Sequence, residues 1–143
     1  MRKFLLVCLA WCAVGGLRAQ SLDDIVAIGD ERACSVAELR LMAPAIVASF
    51  PGMDGLESRL EEALGRYEPQ DRLTKARAGY VVAKALRLRT SIAFVVLPIE
   101  RYAFRALVLD GVFANTSSGG DVMDGIELLD FVARLGAAYG SRE

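Results

Sequence analysis

Apolar residues recur along this chain at helical spacing, in separate runs divided by proline, glycine and acidic residues. From Ser35 onward, Leu39, Met42, Ala43, Ile46, Val47 and Phe50 fall three and four positions apart, the stripe of one helix face, and Pro51-Gly52 ends the run. Leu56, Leu60, Ala63, Leu64 and Tyr67 repeat the period. Glu68-Pro69 closes that helix, because a residue before proline is pushed out of the α region. The same reading predicts helices from Thr74 to about Arg89, from about Ile99 to Asp110 and from Asp124 to Tyr139, with Gly111 and Gly140 at C-terminal caps. Ser35-x-x-Glu38, Asp54-x-x-Glu57 and Asp124-x-x-Glu127 are spaced as capping boxes, in which side chains satisfy the free amides of a first turn. Ser21-x-x-Asp24 starts a further short helix over Leu22 to Ile28, ended by Gly29. Ser91 to Leu97 is the ambiguous piece, since its β-branched and aromatic residues fit a buried strand as well as a helical turn. With no partner strand elsewhere, a helix or a buried extended connector is expected there. The predicted fold is all-α, a compact bundle of about five to six helices.

The N-terminal pattern differs. Met1-Arg2-Lys3 is a short basic region, and the uncharged run Phe4 to Val14 is too short to span a bilayer, which takes roughly 20 apolar residues. Leu17-Arg18-Ala19 before Gln20 resembles a small-residue cleavage site. Residues 1–19 therefore read as a cleaved secretory signal, 20–33 as a linker or short helix, 34–140 as a single helical domain and 141–143 as a tail. The expected location is the periplasm or another exported compartment of a bacterial envelope. A lipoprotein signal is disfavoured, because Cys12 follows Trp11 and Cys8 follows Val7, neither of them small. The later apolar stretch Ser91 to Ile99 is also too short to cross a membrane, so no span is expected in the mature chain.

Charge narrows the possible partners. Losing Arg2, Lys3 and Arg18 with the leader takes the 17 basic residues to 14 against 18 acidic ones, a net charge of −4. A mildly acidic chain of this kind lacks the clustered lysine and arginine that phosphate neutralisation demands, so no nucleic acid is expected as partner. Only Cys34 survives cleavage, which leaves no intramolecular disulfide and a fold held by its core alone.

The chain holds no histidine, which removes the commonest general base and neutral metal ligand, along with every Ser-His-Asp or Cys-His arrangement. Asp23-Asp24 and Glu61-Glu62 are adjacent pairs that diverge on a helix, and they read as solvated faces. No enzyme activity, metal or cofactor is expected. Cys34 precedes the N-cap Ser35, where a thiol can become reactive, but no activating base accompanies it; a buried or merely unpaired thiol is the simpler reading. The best candidate for a recognition surface is Arg101, Tyr102 and Arg105 on the fourth helix, with Arg72 and Lys75 at the start of the third. Guanidinium forks and an amphipathic ring suit sugars or acidic peptides. The competing assignment puts Tyr102 in the core and Arg101 and Arg105 on a solvated face. Asn115-Thr116-Ser117, within a loop that continues to Gly119-Gly120, reads as a flexible turn.

A weak internal repeat links these parts. Cys34-Ser35-Val36-Ala37-Glu38 and Leu73-Thr74-Lys75-Ala76-Arg77 each precede an apolar helix 39 residues apart, and Tyr80 to Lys84 aligns with Asp130 to Arg134 at a shift of 50. Leu73-Thr74-Lys75-Ala76 resembles the opening signature of S-layer homology (SLH) repeats, with Arg77 in place of its glutamate, while Ser35 to Glu38 keeps the glutamate without the basic residue. Tyr102-Ala103 and Gly111-Val112-Phe113 resemble later steps of the same unit, and Val122 to Gly125 is a faded third signature. The resemblance implies degenerate helix-loop-helix repeats and, through Thr74 and Lys75, contact with cell-wall polysaccharide. The expected function is a non-enzymatic envelope interaction or scaffolding module docking on an envelope protein. Wall-glycan binding and carriage of a small apolar ligand near Phe94 to Leu97 are the alternatives, and the oligomeric state is open.

Overall fold

The computed structural model describes residues 22–89 and 91–140. The expected secretory signal, with Cys8 and Cys12, and the tail 141–143 lie outside the described residues. Eight helices form among the described residues: α1 (Leu22–Gly29), α2 (Val36–Leu41), α3 (Ala43–Ala48), α4 (Leu56–Leu64), α5 (Lys75–Ala85), α6 (Ile92–Val96), α7 (Glu100–Leu109) and α8 (Gly125–Tyr139). They pack together as an all-α bundle, with two isolated bridges in place of a sheet among the described residues.

The segments leading into α2, α5 and α8 meet at the centre. The Leu73 amide donates to the Cys34 carbonyl at 2.9 Å, Met123 to Leu73 at 2.9 Å, and Cys34 back to Met123 at 2.8 Å, closing a three-membered ring. Their side chains are buried, and 39 and 50 residues separate them in sequence, the spacings of the weak repeat. Around the ring the pattern repeats two residues further on. Val36 donates to the Asp71 carbonyl, Lys75 to Asp121 and Gly125 to Glu31, so each helix start hangs on the loop before the next. The helices follow the same cycle. α4 packs on α2, α3 and α5, α7 packs on α5, and α1 packs on α8, joining the two ends of the bundle. Ile28 of α1 lies in the common core with Leu39, Leu60, Leu107 and Phe131, and Phe113 stacks on Phe131 at 4.9 Å.

Local chemistry explains where each helix begins. Ser35 caps α2 through a capping box in which its own amide reaches the Glu38 carboxylate at 2.6 Å, and Asp124 and Glu127 do the same for α8. Burial opposes ionisation of Glu38, yet the hydrogen bonds from Ser35 outweigh it and hold this carboxyl below its usual range. Thr74 caps α5 alone, accepting from the Arg77 amide.

Several expectations are corrected. The first helix divides at Met42, because Pro44 has no amide to donate and is accommodated only in the first turn of a new helix. The Asp54 capping box does not form: Gly55, at φ 71°, takes the N-cap position, and the Asp54 carbonyl instead accepts from Arg59. The third helix ends at Ala85. There the Leu88 amide bonds to the Ala83 carbonyl and Arg87 to Lys84, the pair that defines a Schellman motif, with Arg87 left-handed at φ 53°. α7 closes with the same two bonds but places Gly111 at the left-handed position, as expected of a C-terminal cap. Gly140 is the C-cap of α8, as expected, with a right-handed φ of −71°; a Cβ there would come within 2.8 Å of the Ser49 carbonyl oxygen. Within Ser91 to Leu97, Ile92–Val96 form the short helix α6, and of its five residues only Phe94 is buried.

Among the glycines of the described residues Gly125 marks the tightest approach, since a Cβ there would lie 1.6 Å from the Ile28 carbonyl oxygen. Both groups are backbone and cannot swing aside. Gly125→Ala is therefore expected to lower stability by about 3 kcal/mol and to lift α1 off α8, read by urea unfolding and amide exchange in α1; an unchanged midpoint would refute the close approach. Glu38 supplies a second test. Its folded pKa lies below the unfolded value, so its contribution is present above about pH 4.3 and disappears as pH falls through the folded value. Glu38→Gln should thus cost about 1 kcal/mol at neutral pH, with the gap from the parent narrowing in acid.

Candidate functional site

The first residues of α2, α5 and α8 show how three equivalent helix starts use different side chains. Val36, Lys75 and Gly125 occupy equivalent first positions of their helices. Val36 is core, and Gly125 admits the backbone of α1. Lys75 is buried, with its ammonium 2.9 Å from Glu127, 3.9 Å from Asp121 and donating to Ser117 Oγ at 3.3 Å. This lysine therefore fastens the 117–121 loop and α8 to α5, and it faces a small cavity rather than the open surface.

Beside it lies an open groove of about 910 Å³ between α5, α7 and that loop. Arg66, Arg77, Arg101 and Arg105 line it against a single lining carboxylate, Glu100, with Thr74 and Ser117 to Gly120 along one wall. Phe104 forms part of the lining, and Gly119 sits close enough that a Cβ would touch its ring at 3.3 Å. Fixed backbone bonds hold the loop: Ala76 donates to Gly119, Ser118 to the Asp121 carboxylate. The site is thus a rigid wall of hydroxyls and amides opposite a row of guanidinium groups.

Two of these arginines are already oriented. Arg77 donates to the Arg72 carbonyl at 2.8 Å and lies over the Tyr67 ring at 5.5 Å; Arg66 lies over Tyr80 at 4.8 Å. The Tyr67 hydroxyl donates to Glu100 at 2.7 Å, and burial, followed by that carboxylate, raises the phenol far above its usual range. Arg101 and Arg105 are exposed and enter no ion pair among the described residues.

Of the residues singled out from the sequence, Thr74, Arg101 and Arg105 meet in this groove. Lys75 is turned away beneath it. Tyr102 packs with the Tyr80, Ala83, Phe94 and Ala103 cluster, and Arg72 offers the site its backbone carbonyl while its side chain lies outside. Arg66, Arg77 and the 117–120 wall escaped the sequence reading. For Arg77 a legible signal was present in the run from Arg72 to Ile99, which contains no acidic residue. No group of three or more metal-ligating side chains converges among the described residues. No helix among them is long and apolar enough to cross a membrane. Comparison with known protein families, characterised proteins and solved structures finds no match to this chain.

Cys34 sits within the hydrogen-bonded ring, 1% exposed. Burial, then the negative charge of Glu38, pushes its thiol up to about 12, so it is neither a nucleophile nor available to a second chain. Native protein treated with iodoacetamide at about pH 8 should leave the Cys34 peptide unalkylated by mass spectrometry, whereas unfolding in urea should release it to react. Rapid native labelling would contradict this placement.

Proposed function

We propose that the chain is a non-enzymatic interaction module of the bacterial cell envelope, built on degenerate SLH-like repeats, whose arginine groove receives an acidic segment of an envelope protein. The observation that carries this reading is the unpaired Arg101 and Arg105 beside Arg66 and Arg77, with one lining carboxylate among them. Planar guanidinium forks favour carboxylates, which they engage through paired hydrogen bonds. The closed cycle of three helix starts supports the repeat reading, because it joins the positions where the weak signatures stand. An envelope address rests on the N-terminal sequence alone.

A second reading, an acidic wall glycan in the same groove, draws support from the hydroxyls of Thr74, Ser117 and Ser118 along its wall. Carriage of an apolar ligand finds less support. The cavity at Phe50, Met53, Leu86 and Tyr139 is open at the surface and is shared with Arg87 and Arg89.

Affinity capture from envelope extracts, run beside binding to purified wall glycan, separates the readings. Arg101→Glu with Arg105→Glu should lower capture of the protein partner at least tenfold, consistent with loss of two charge-assisted contacts, while leaving thermal stability unchanged. Salt should weaken the parent interaction in parallel. Undiminished capture by the double variant would exclude the groove, and glycan binding without a protein partner would replace the first reading by the second.

A further inference from the structure

The short helix α6 and the turn after it expose a concentration of aliphatic surface. Ile92 is 85% exposed, Val96 76%, Val95 55% and Leu97 50%, and Ile99 follows after Pro98. The knob is nevertheless firmly built. Ser91 caps α6 by accepting from the Phe94 amide, and Phe94 turns inward, edge-on to Tyr80 at 6.5 Å and beside Ala83 and Ala103. One aromatic side chain thus anchors the element while its neighbours face outward.

The chain leading into it is basic, and Glu100 is the first acidic residue after it. From Arg72 to Ile99 the chain carries Arg72, Lys75, Arg77, Lys84, Arg87 and Arg89 and no acidic residue, in a protein whose total charge is −1. Arg87 and Arg89 lead into the knob, both exposed and in no ion pair among the described residues, and Arg101 follows it. Arg87 also holds a left-handed backbone in the Schellman position that α7 gives to Gly111. A non-glycine residue there is strained, and such strain is retained where the side chain has a use.

We infer that α6 is a shallow membrane-docking wedge: Ile92, Val95, Val96 and Leu97 enter the acyl boundary of an anionic lipid surface while Arg87 and Arg89 lie on its headgroups. Five helical residues cannot span a bilayer, but apolar side chains flanked by arginine match the interface between headgroups and acyl chains. The uncompensated arginines supply the charge complementarity that selects an anionic surface. Ile92, Val95, Val96, Leu97, Arg87 and Arg89 do not line the arginine groove, so the inference stands whether or not the groove reading does.

Co-sedimentation with vesicles of phosphatidylcholine alone, or mixed with phosphatidylglycerol, tests it on the purified protein. Binding is expected only to the phosphatidylglycerol vesicles and should fall as salt rises. Ile92→Ser with Val96→Ser should weaken it at least tenfold. Arg87→Gly with Arg89→Ser should weaken it about fivefold per arginine removed, and circular dichroism should show a melting temperature no lower than the parent's, since glycine relieves the left-handed strain. Arg101→Glu with Arg105→Glu, tested against the groove partner, reports on the other surface separately. Failure of the parent to sediment with phosphatidylglycerol vesicles at low salt would overturn the inference. So would equal binding by the Ile92/Val96 variant, and so would concentration-dependent self-association abolished by that variant, which would assign the wedge to a second copy of the chain.

Discussion

Three backbone hydrogen bonds, from Leu73 to Cys34, from Met123 to Leu73 and from Cys34 to Met123, close on one another at the centre of the bundle. Each contributes only about 1 kcal/mol net, but a buried amide or carbonyl left unmade costs more than the bond returns. Each segment both donates and accepts, so displacing any one of the three strips partners from the other two. The constraint propagates outward, because Ser35, Thr74 and Asp124 follow the ring residues directly and cap α2, α5 and α8. Positions far apart in sequence are thereby given one geometry. The bundle needs no disulfide to hold its ends, since α1 packs on α8 through the same cycle.

Most of the helices were legible because they obey rules that act over a few residues. The stripe Leu39, Met42, Ala43, Ile46 and Phe50 is buried as its spacing predicts, and the boxes at Ser35 and Asp124 form because their partners lie within one turn. What failed depended on one overlooked residue or on distance. Pro44 lay in view within the first stripe, yet periodicity alone cannot weigh a missing amide. Asp54 had the right spacing and lost to Gly55, whose left-handed backbone moved the start of α4. Ser91 to Leu97 illustrates a different limit: composition marks it as apolar, but only tertiary packing decides that Phe94 turns inward and its neighbours do not.

The candidate site was half legible for related reasons. Arg101 and Arg105 lie four apart on one helix, and Thr74 stands at a helix start, so local spacing could nominate them. That they face Arg66 and Ser117 depends on how α7 and the 117–121 loop close around α5, which no short-range pattern encodes. Lys75 was the natural choice from its place in the repeat and is instead consumed by Glu127. A lysine pressed into that position gains a carboxylate and a hydroxyl at once, while solvent would have left it competing with water.

The departures from the repeat fall where the groove is. The ring imposes the same backbone at Val36, Lys75 and Gly125, yet the side chains there fill the core, lock the loop and make room for α1. None of these three first positions is left to contact a ligand in the groove. At the third position, Glu38 and Glu127 reciprocate their caps, whereas Arg77 does not and leaves Thr74 to cap α5 alone. That exchange gives up about half of a capping box and places a guanidinium, steadied by the Arg72 carbonyl and the Tyr67 ring, at the wall of the groove. Where local rules are broken with a visible geometric return, function is the expected cause. Arg77, standing where α2 and α8 carry a capping glutamate, thus forgoes a cap bond and lines the groove instead.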